Sequence, residues 1–359
     1  MAELSLVTGF PGFIGRRLVG HLLELDGDAR VVALVEGRMA DRAREAAAVL
    51  GADRIEVVAG DVGDRRLGLA DDAYDRLLAD VVRVYHLAAI YDLAVPLDLA
   101  RRVNVDGTGN VLDFCVRAER LERLAYVSTA YVAGRRTGVV YEHELVMGQG
   151  FKNHYESTKF QAEVWVRTAM ARVPTTIVRP AIVVGDSNTG ETAKFDGPYY
   201  ILRVLSQANR LGQATVQFGA SDAPFNVVPV DYVVAATAAA ATMPDALGET
   251  LHLVDPDPLT TKELVTVLAR EYAGRAPRGR VSPRLAEAAL RIPPVRAALA
   301  DTPPESIAYL NHSVAFDVRR AEALLGPQGL RPPRFGDYVD AIVRFFRAHE
   351  DDPAFRPNA

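Results

Sequence analysis

A tyrosine and a lysine four residues apart are the side chains of this sequence best suited to proton transfer. Tyr155 and Lys159 stand in a stretch that leads into an apolar pattern typical of a helix. Residues four apart share one face of a helix, so both side chains can point into one site. A neighbouring ammonium favours the ionised phenol, which predicts a lowered pKa for Tyr155 and a role in acid–base chemistry. An amphipathic surface turn can contain the same pair. Only the rest of the sequence can therefore distinguish a catalytic pair from such a turn.

The start of the chain reads as a strand, a glycine-rich turn and a helix. An apolar run at residues 4–7 precedes Gly9, Gly12 and Gly15, and apolar residues at helical spacing follow. Glycines in such a turn let backbone N–H groups approach a pyrophosphate at the helix N-terminus, which is a way of binding dinucleotides. The cofactor contacts predicted from this turn are Gly9, Phe10, Gly12, Phe13, Ile14 and Gly15.

The next two predicted strands end in charged residues suited to the adenosine half of a dinucleotide. The strand at 30–35 is followed by Glu36 and Arg38, and the third strand, at 55–59, is followed by Asp61 and Val62. An acid after the second strand binds the ribose 2′-hydroxyl of NAD, whereas an arginine accommodates the 2′-phosphate of NADP. The chain offers both, and either could simply be solvated. Asp61 can accept from the adenine amino group or cap its own turn.

Two more strands bring small and hydroxyl-bearing residues to the same edge. Small residues after the fourth strand leave room for a cofactor, and Asn104 is predicted to open the helix that follows. Ser128 and Thr129 come after the fifth strand, where their hydroxyl groups either contact a substrate or only form hydrogen bonds within the turn. The site residues predicted here are Leu87, Ala88, Ala89, Asn104, Ser128 and Thr129.

Strands that alternate with helices predict an α/β fold, a Rossmann-type doubly wound parallel sheet, in which ligands bind outside the carboxyl ends of the strands. The dinucleotide-binding core with Tyr155 and Lys159 spans residues 1–190. Residues 191–350 form a smaller, mainly substrate-binding region, whose strands near 226–231 and 250–254 return to the core. Residues 351–359 are expected to be a disordered tail.

Within the C-terminal half, several local patterns carry predictions. An aromatic and apolar stripe at 195–211 either lines a pocket or packs in a core. Asp231 is predicted to N-cap an alanine-rich helix, and Thr260 and Glu263 form a capping box. A proline-rich stretch at 293–304 is a lid or a surface connection. The segments 316–326 and 338–349 are predicted to be closing helices.

Composition restricts the classes of function. The chain has 359 residues, a net charge of −5 and one cysteine. No basic run favours nucleic acid, no apolar run is long enough to span a bilayer, and no metal-ligand pattern occurs. The N-terminus shows no signal-peptide pattern, so a cytoplasmic protein is expected. The oligomeric state stays open.

In this order and spacing, the motifs resemble the extended short-chain dehydrogenase/reductase superfamily over roughly residues 4–255. Those motifs are the glycine turn, His86–Ala89, Asn104, Ser128–Thr129 and the Tyr155–Lys159 pair. Three segments are similar to the thioester reductase branch, which includes the terminal reductase domains of carboxylic acid reductases and nonribosomal peptide synthetases and the fatty acyl-CoA reductases. They are Tyr155–Ala169, Arg179–Gly190 and Lys194–Asp196.

The resemblance implies a role for each matching position. Thr129, with Ser128 beside it, would hydrogen-bond the substrate oxygen, and Tyr155 would donate the proton. Lys159 would hold the nicotinamide ribose, and Asn104 would anchor a relay water or the active-site helix. Asp61, Ala88, Pro180 and Ile182 would lie along the cofactor with the glycine turn. Glu36 departs from the branch, which commonly has arginine there, so dual cofactor use is expected with NADP slightly favoured over NAD.

The function favoured by the resemblance is NAD(P)H-dependent reduction of an acyl thioester to an aldehyde or alcohol, the acyl group arriving on coenzyme A or a separate acyl carrier protein. An alcohol dehydrogenase, or a ketone or aldehyde reductase acting on a hydrophobic substrate, is the alternative. Nucleotide-sugar epimerase or dehydratase chemistry is less favoured, because dehydratases need an acid where this chain has Ala130. A non-catalytic dinucleotide sensor would not need the full set of Thr129, Tyr155 and Lys159.

Overall fold

The computed structural model describes residues 3–91, 95–214, 216–218, 222–282, 285, 288, 291–292 and 307–356. Its centre is a seven-stranded parallel sheet with the strand order β11-β7-β5-β4-β1-β2-β3. These strands are β1 (Leu4–Thr8), β2 (Arg30–Val35), β3 (Ile55–Ala59), β4 (Val81–His86), β5 (Arg123–Val127), β7 (Thr175–Pro180) and β11 (Thr250–Leu253). The chain builds one half of the sheet outward from β1 and then returns to build the other half from β4. The predicted doubly wound α/β fold is therefore confirmed.

The strands of the sheet form because their sequences are nearly continuous apolar runs. Helices cover both faces of such a sheet, so both sets of alternating side chains are buried. In β2 every residue after Arg30 is buried, and all of β5 is buried. Parallel pairing of β1 with β2 and β4 places Thr8 beside Leu34 and His86, so the carboxyl ends of these strands lie at one edge.

The helices pack on the two faces of this sheet and in the C-terminal region. They are α1 (Phe13–Leu25), α2 (Ala40–Gly51), α3 (Asp71–Asp80), α4 (Leu97–Ala100), α5 (Gly107–Arg117), α6 (His154–Ala169), α7 (Tyr199–Arg210), α8 (Val230–Thr242), α9 (Thr261–Ala273), α10 (Ile307–Leu310), α11 (Arg319–Leu325) and α12 (Phe335–His349). The alanines of α8 let it pack closely against α1 and the sheet. In the described part of the chain, no helix has the length and apolarity needed to cross a membrane.

The remaining strands form three two-stranded sheets. They are β6 (Gly138–Val140) with β13 (Val314–Phe316), β8 (Ile182–Val184) with β10 (Val227–Pro229), and β9 (Gln217–Phe218) with β12 (Arg280–Val281). Of the two C-terminal strands expected to return to the core, β11 joins the main sheet, whereas β10 pairs with β8 outside it. The capping box of Thr260 and Glu263 opens α9 as predicted.

A second hydrophobic core holds the C-terminal region together. Residues of the aromatic stripe at 195–211 pack against α9 and α12, so this stripe contributes mainly to a core. The buried members of this core include Phe195, Tyr199, Leu202, Leu205, Leu264, Leu268, Tyr338, Ile342 and Phe346.

Several local predictions are wrong. The helix expected to open at Asn104 begins at Leu97, and Asn104 lies inside a π-helical stretch, Arg101–Asp106. Asp231 does not cap α8; its carboxylate accepts hydrogen bonds from the backbone N–H and the hydroxyl of Ser187. Phe316 ends a strand and precedes the helix expected to contain it.

The chain end also differs from its prediction. A short 3₁₀ turn, Pro353–Phe355, places the ring of Phe355 against Phe195 at 5.0 Å between ring centroids. This contact orders residues 351–356, because it extends the C-terminal aromatic core. Residues 357–359 and the proline-rich stretch at 293–304 lie outside the described residues.

Candidate active site

The predicted site residues stand at the carboxyl ends of the parallel strands. The glycine turn follows β1, Glu36 and Arg38 follow β2, and Asp61 and Val62 follow β3. The segments at 87–89 and 128–129 follow β4 and β5, and Pro180 and Ile182 lie at the junction of β7 and β8. The chain changes direction across the sheet between β1 and β4, and doubly wound sheets bind ligands in the crevice at that point.

The glycine turn fits a dinucleotide pyrophosphate. Gly9 has a φ of 89°, and a Cβ on Gly15 would lie only 2.5 Å from the carbonyl oxygen of Gly9. Only glycine therefore allows this close turn. Gly12 precedes α1, and no side-chain bond caps that helix and no acid stands in its first turn. The first N–H groups of α1 are thus left to attract an anion. Phe10 is buried beneath the turn, and Phe13 and Ile14 begin α1.

Thr8 and His86 hold the ends of β1 and β4 in place. The Thr8 hydroxyl lies 2.7 Å from His86 Nδ1 and accepts from the backbone N–H groups of Leu87 and Ala88. Burial lowers the pKa of His86 to about 3, and the Lys159 charge adds to that effect. His86 is therefore a neutral, packed histidine, and the Thr8 hydroxyl fixes the backbone of Leu87 and Ala88.

The charged residues after β2 and β3 are already paired with each other or with neighbours. Arg38 Nε lies 2.9 Å from a Glu36 carboxylate oxygen, and both side chains are exposed. Asp61 accepts from the Gly63 N–H at 2.7 Å and pairs with Arg102 at 2.7 Å. The turn-capping interpretation of Asp61 is thus confirmed, and a role toward adenine stays a prediction. Val62 packs against Gly107 at the start of α5.

Tyr155 and Thr129 come together in the structure. Asn153 caps α6 by accepting from the Glu156 N–H at 2.9 Å, which places Tyr155 in the first turn of that helix. Burial raises the pKa of Tyr155 above its ordinary value, a hydrogen bond with Thr129 lowers it, and the Glu156 charge raises it further. The expected lowering of this pKa is therefore wrong. The phenol is protonated at neutral pH and has a proton to donate, although burial makes it a weaker acid than an ordinary tyrosine.

Lys159 lies behind Tyr155 and is almost fully buried. Its ammonium donates to the Val127 carbonyl at 2.8 Å and lies 4.5 Å from the centre of the Tyr126 ring. Burial lowers the pKa of Lys159 to about 7, and the Glu163 charge opposes this shift. The contact with Val127 replaces the predicted partnership with the Tyr155 hydroxyl in this structure.

Asn104 anchors the active-site helix. Its side-chain amide donates to the Thr158 hydroxyl of α6 at 3.0 Å, and its oxygen accepts from the Ile90 N–H at 2.8 Å. Asn104 thereby ties the loop after β4 to the turn of α6 that follows Tyr155. The π-helical stretch turns this side chain inward, and such local widening often occurs at functional sites.

Ser128 faces a buried charge cluster. Its hydroxyl donates to Glu163 at 2.5 Å, and Arg179 donates to the same carboxylate at 2.6 and 3.1 Å. Arg179 and Glu163 have no measurable exposure. Ser128 therefore helps to hold α6 against β5 and β7. Its hydroxyl is bonded to Glu163 and does not point to the predicted position of the substrate oxygen.

Several residues near the site were not predicted from the sequence. The Tyr91 ring stands edge-on to Tyr155 with 5.0 Å between centroids. Asp196, which belongs to the segment Lys194–Asp196 already noted for its resemblance, interacts electrostatically with Tyr91, and burial raises the pKa of Asp196 to about 6. Glu156 forms a buried ion pair with Lys152 directly beside Tyr155. Glu156 is next to Tyr155 in the chain, but no spacing pattern indicated that Tyr91 or Lys152 would reach the site.

The arrangement can bind a dinucleotide and protonate an oxygen. The glycine turn supplies N–H groups for a pyrophosphate, and the small residues after β4 leave space for the cofactor to cross the sheet. The hydroxyl of Thr129, which donates to the Pro180 carbonyl at 3.4 Å, lies near that of Tyr155, and a substrate carbonyl oxygen could accept from both in place of these partners.

The similarity to known proteins covers most of the chain. A family of NAD-binding proteins described as Male sterility protein matches residues 7–237. The non-canonical nonribosomal peptide synthetase FrzA from Cladobotryum sp is 28% identical over 93% of this chain and 36% of that protein. Fatty acyl-CoA reductase 1 from Arabidopsis thaliana is 24% identical over 77% of this chain and 71% of that protein.

The fold is also similar to that of a reductase domain whose structure has been solved. The terminal R domain from the myxalamid PKS-NRPS biosynthetic pathway superposes with a TM-score of 0.82 at 27% identity, covering 98% of this chain and 92% of that one. The chain spans about a third or less of the length of three peptide synthetases that it matches. The resemblance seen in the motifs is confirmed: this chain belongs to the Male sterility protein family of NAD-binding, extended short-chain dehydrogenase/reductase folds.

Proposed function

We propose that this protein is an NAD(P)H-dependent reductase of acyl thioesters, producing an aldehyde or an alcohol. The observation that carries the proposal is the Thr129–Tyr155 hydroxyl pair, set at the strand ends of a family fold shared with a fatty acyl-CoA reductase and a terminal R domain. The nicotinamide cofactor would supply the hydride.

The residues of the chain act on the oxygen of the substrate. As the thioester carbon gains a hydride, negative charge builds on its oxygen, and the Thr129 and Tyr155 hydroxyls stabilise that charge by hydrogen bonding. Tyr155 then gives its proton to the oxygen. Collapse of the resulting hemithioacetal breaks the carbon–sulfur bond and releases a thiol and an aldehyde. Tyr155 holds a proton when the substrate arrives, because its pKa lies above neutral pH.

The acyl group would arrive on coenzyme A or on an acyl carrier protein. The relatives that support a carrier are the peptide synthetases, and the relative that supports coenzyme A is the fatty acyl-CoA reductase. We assign residues 1–190 to the cofactor and the region 191–350 mainly to the substrate, with Tyr91 and Asp196 at the boundary. Oligomeric state plays no part in this proposal.

The second candidate is reduction of an aldehyde or ketone by the same hydroxyl pair. Tyr155 and Thr129 serve any carbonyl oxygen equally well, so only the substrate separates the two functions. Purified protein is therefore incubated with NADPH or NADH and with a medium-chain acyl-CoA, the matching aldehyde or the matching methyl ketone. Oxidation with the acyl-CoA supports the first candidate, whereas oxidation with the aldehyde or ketone alone supports the second.

Dual cofactor use, with NADPH slightly favoured, is our proposal for the cofactor. The Glu36–Arg38 pair supports it, because the carboxylate suits a ribose 2′-hydroxyl and the guanidinium suits a 2′-phosphate. In Glu36→Gln the repelling charge disappears and Arg38 is released. We expect kcat/KM for NADPH to rise by about tenfold, a change worth about 1.4 kcal/mol at this exposed site, and that for NADH to stay similar or fall.

The matched variant for this prediction is Arg38→Ala, which should shift the ratio of kcat/KM values toward NADH. Both cofactors are measured with each variant under the same salt concentration, since exposed charges are screened. A ratio that does not move in either variant would mean that the pair faces solvent and that the ribose lies elsewhere.

Lys159 gives a prediction about cofactor affinity and pH. Below a pH of about 7 its ammonium is charged and donates to ribose hydroxyls, and above that pH it becomes neutral. We expect the dissociation constant of the reduced cofactor to increase as pH rises from about 6 to about 8 in wild type and in the control variant, but not in Lys159→Ala. Lys159→Ala should bind the cofactor more weakly at every pH and lose turnover as well. Fluorescence titration measures this, with the exposed Lys262→Ala as control; equal affinities for all three proteins would exclude Lys159 from the ribose site.

A further inference from the structure

A buried ion pair at the start of the catalytic helix is contacted by a tyrosine of the C-terminal region. Glu156, directly after Tyr155, pairs with Lys152 at 2.9 Å, and the two side chains are 0% and 6% exposed. The Tyr309 hydroxyl of α10 donates to the same Glu156 oxygen at 2.9 Å and accepts from the Asn153 side-chain amide at 2.8 Å. The C-terminal region thus reaches α6 at the residue next to the proposed proton donor.

The polar groups of this cluster are fully used. Glu156 accepts from the Lys152 ammonium and backbone N–H with its two oxygens, and the ammonium also donates to the Gly134 carbonyl at 2.7 Å. Buried charges cost several kcal/mol unless such bonds satisfy them. Removing one donor from the cluster leaves the carboxylate under-satisfied, so its position depends on every partner, Tyr309 included.

Tyr309 also touches the segment that carries the other hydroxyl. Its ring stands edge-on to Tyr131 with 5.2 Å between centroids, and the Tyr131 N–H donates to the Thr129 hydroxyl at 3.3 Å. One side chain therefore contacts both the turn after Thr129 and the carboxylate after Tyr155. These two segments belong to different elements, the end of β5 and the start of α6.

We propose that Tyr309 is a positioning residue, which sets the Thr129 and Tyr155 hydroxyls relative to each other through its contacts with Tyr131 and Glu156. This inference deepens the proposed function and rests on the role of Tyr155 as proton donor. The Tyr309 hydroxyl is bonded to Glu156 and Asn153, so in this proposal it acts through these residues. Its contribution is to keep the two hydroxyls at one oxygen, since a shift of about an ångström can cost on the order of a hundredfold in rate.

The test removes only the hydroxyl group, in Tyr309→Phe. A hydrogen bond to a buried charged group is lost, so we expect kcat to fall by about tenfold and the unfolding midpoint to fall modestly, while KM for the cofactor stays near wild type. Tyr338→Phe is the matched control. Tyr338 is a buried tyrosine of α12 in the same region, and its hydroxyl has no hydrogen-bond partner among the described residues. Its loss should leave kcat unchanged.

Two further measurements separate positioning from general stability. In a double-mutant cycle with Glu156→Gln, the effects of the two substitutions on kcat should be less than additive, because Tyr309 acts through Glu156. In protein labelled with [¹³Cζ]tyrosine, the Tyr155 resonance should shift in Tyr309→Phe and stay unshifted in Tyr338→Phe. Tyr155→Phe assigns that resonance.

The rates are measured with both the acyl-CoA and the matching aldehyde, because Tyr155 protonates either oxygen. Reduction of the aldehyde but not of the acyl-CoA would exclude the acyl-CoA as substrate and still test Tyr309. The Tyr155 resonance tests Tyr309 even in the absence of any turnover. A Tyr309→Phe protein with kcat within about twofold of wild type, or, without turnover, with an unshifted Tyr155 resonance, would overturn the inference.

Discussion

Tyr155→Phe should lower turnover by about 10²–10⁴-fold and leave cofactor binding almost unchanged. Phenylalanine keeps the ring, its place in the first turn of α6 and its edge-on contact with Tyr91. Only the hydroxyl disappears, and with it the proton donor and one of the two groups that stabilise the substrate oxygen. The remaining Thr129 hydroxyl can still hydrogen-bond the oxygen. It is a weaker acid than a phenol, so it does not replace Tyr155 as the proton donor.

The measurement is kcat with the best substrate, together with a fluorescence titration of the reduced cofactor. Tyr338→Phe again controls for the loss of a buried tyrosine hydroxyl. If Tyr155→Phe keeps more than about half of the wild-type rate, Tyr155 is not the proton donor and the proposed chemistry has to be abandoned. A loss of cofactor affinity equal to the loss of rate would instead assign Tyr155 to binding.

The second large effect concerns stability. Arg179→Met should reduce the free energy of unfolding at pH 7 by about 3–5 kcal/mol, because it leaves the Glu163 carboxylate buried without its main partner. Arg179 donates to Glu163 and also to the backbone carbonyls of Glu142 and Glu144, so one substitution opens several bonds. Ser128 and Arg167 still contact Glu163 and hold the loss toward the lower end of this range.

The pH dependence of this variant follows from the pKa of Glu163. Burial would raise that pKa, but the charges of Arg179 and Arg167 and the bond from Ser128 hold it below its usual value. In wild type the carboxylate stabilises the fold at pH 7, and this contribution is lost only when pH falls through the lowered pKa. Without Arg179 burial dominates and the pKa rises above its usual value, so the folded variant binds a proton more readily than the unfolded chain. The difference in free energy of unfolding between wild type and Arg179→Met should therefore become smaller as pH falls.

Urea unfolding at about pH 7 and about pH 5 measures both effects. The control is Arg344→Met, which breaks an exposed ion pair with Asp340 and should change stability by only about 0–1 kcal/mol. An Arg179→Met protein as stable as this control would show that the buried cluster does not hold α6 against the sheet.

The parts of the fold that sequence alone predicts are those with one dominant local cause. The strands at 30–35 and 55–59 agree with the structure residue for residue, because short buried runs rich in β-branched residues have few alternatives. The glycine turn was predictable for a similar reason, since three glycines at this spacing fit few other conformations. The prediction of the cofactor-binding residues rests on these local features.

The other features depend on contacts between distant parts of the chain. Asp231 stands in a favourable place for a helix cap, yet its carboxylate accepts a hydrogen bond from the backbone N–H of Ser187, forty-four positions earlier. The raised pKa of Tyr155 comes from burial, which spacing does not reveal. Tyr309 lies more than 150 residues after Glu156, in a segment without any recognisable motif, so its contact was invisible before the fold was known.

The most direct test of thioester reduction is to measure free thiol and oxidised cofactor in one reaction with an acyl-CoA. The single cysteine of the chain, Cys115, is buried, so a thiol reagent reports the released coenzyme A with little background. We predict one thiol for each NAD(P)H oxidised if the product is the aldehyde, and one for every two if it is the alcohol. Cofactor oxidation by the matching aldehyde or ketone, with no thiol released from any acyl-CoA or carrier-bound thioester, would contradict the proposed function.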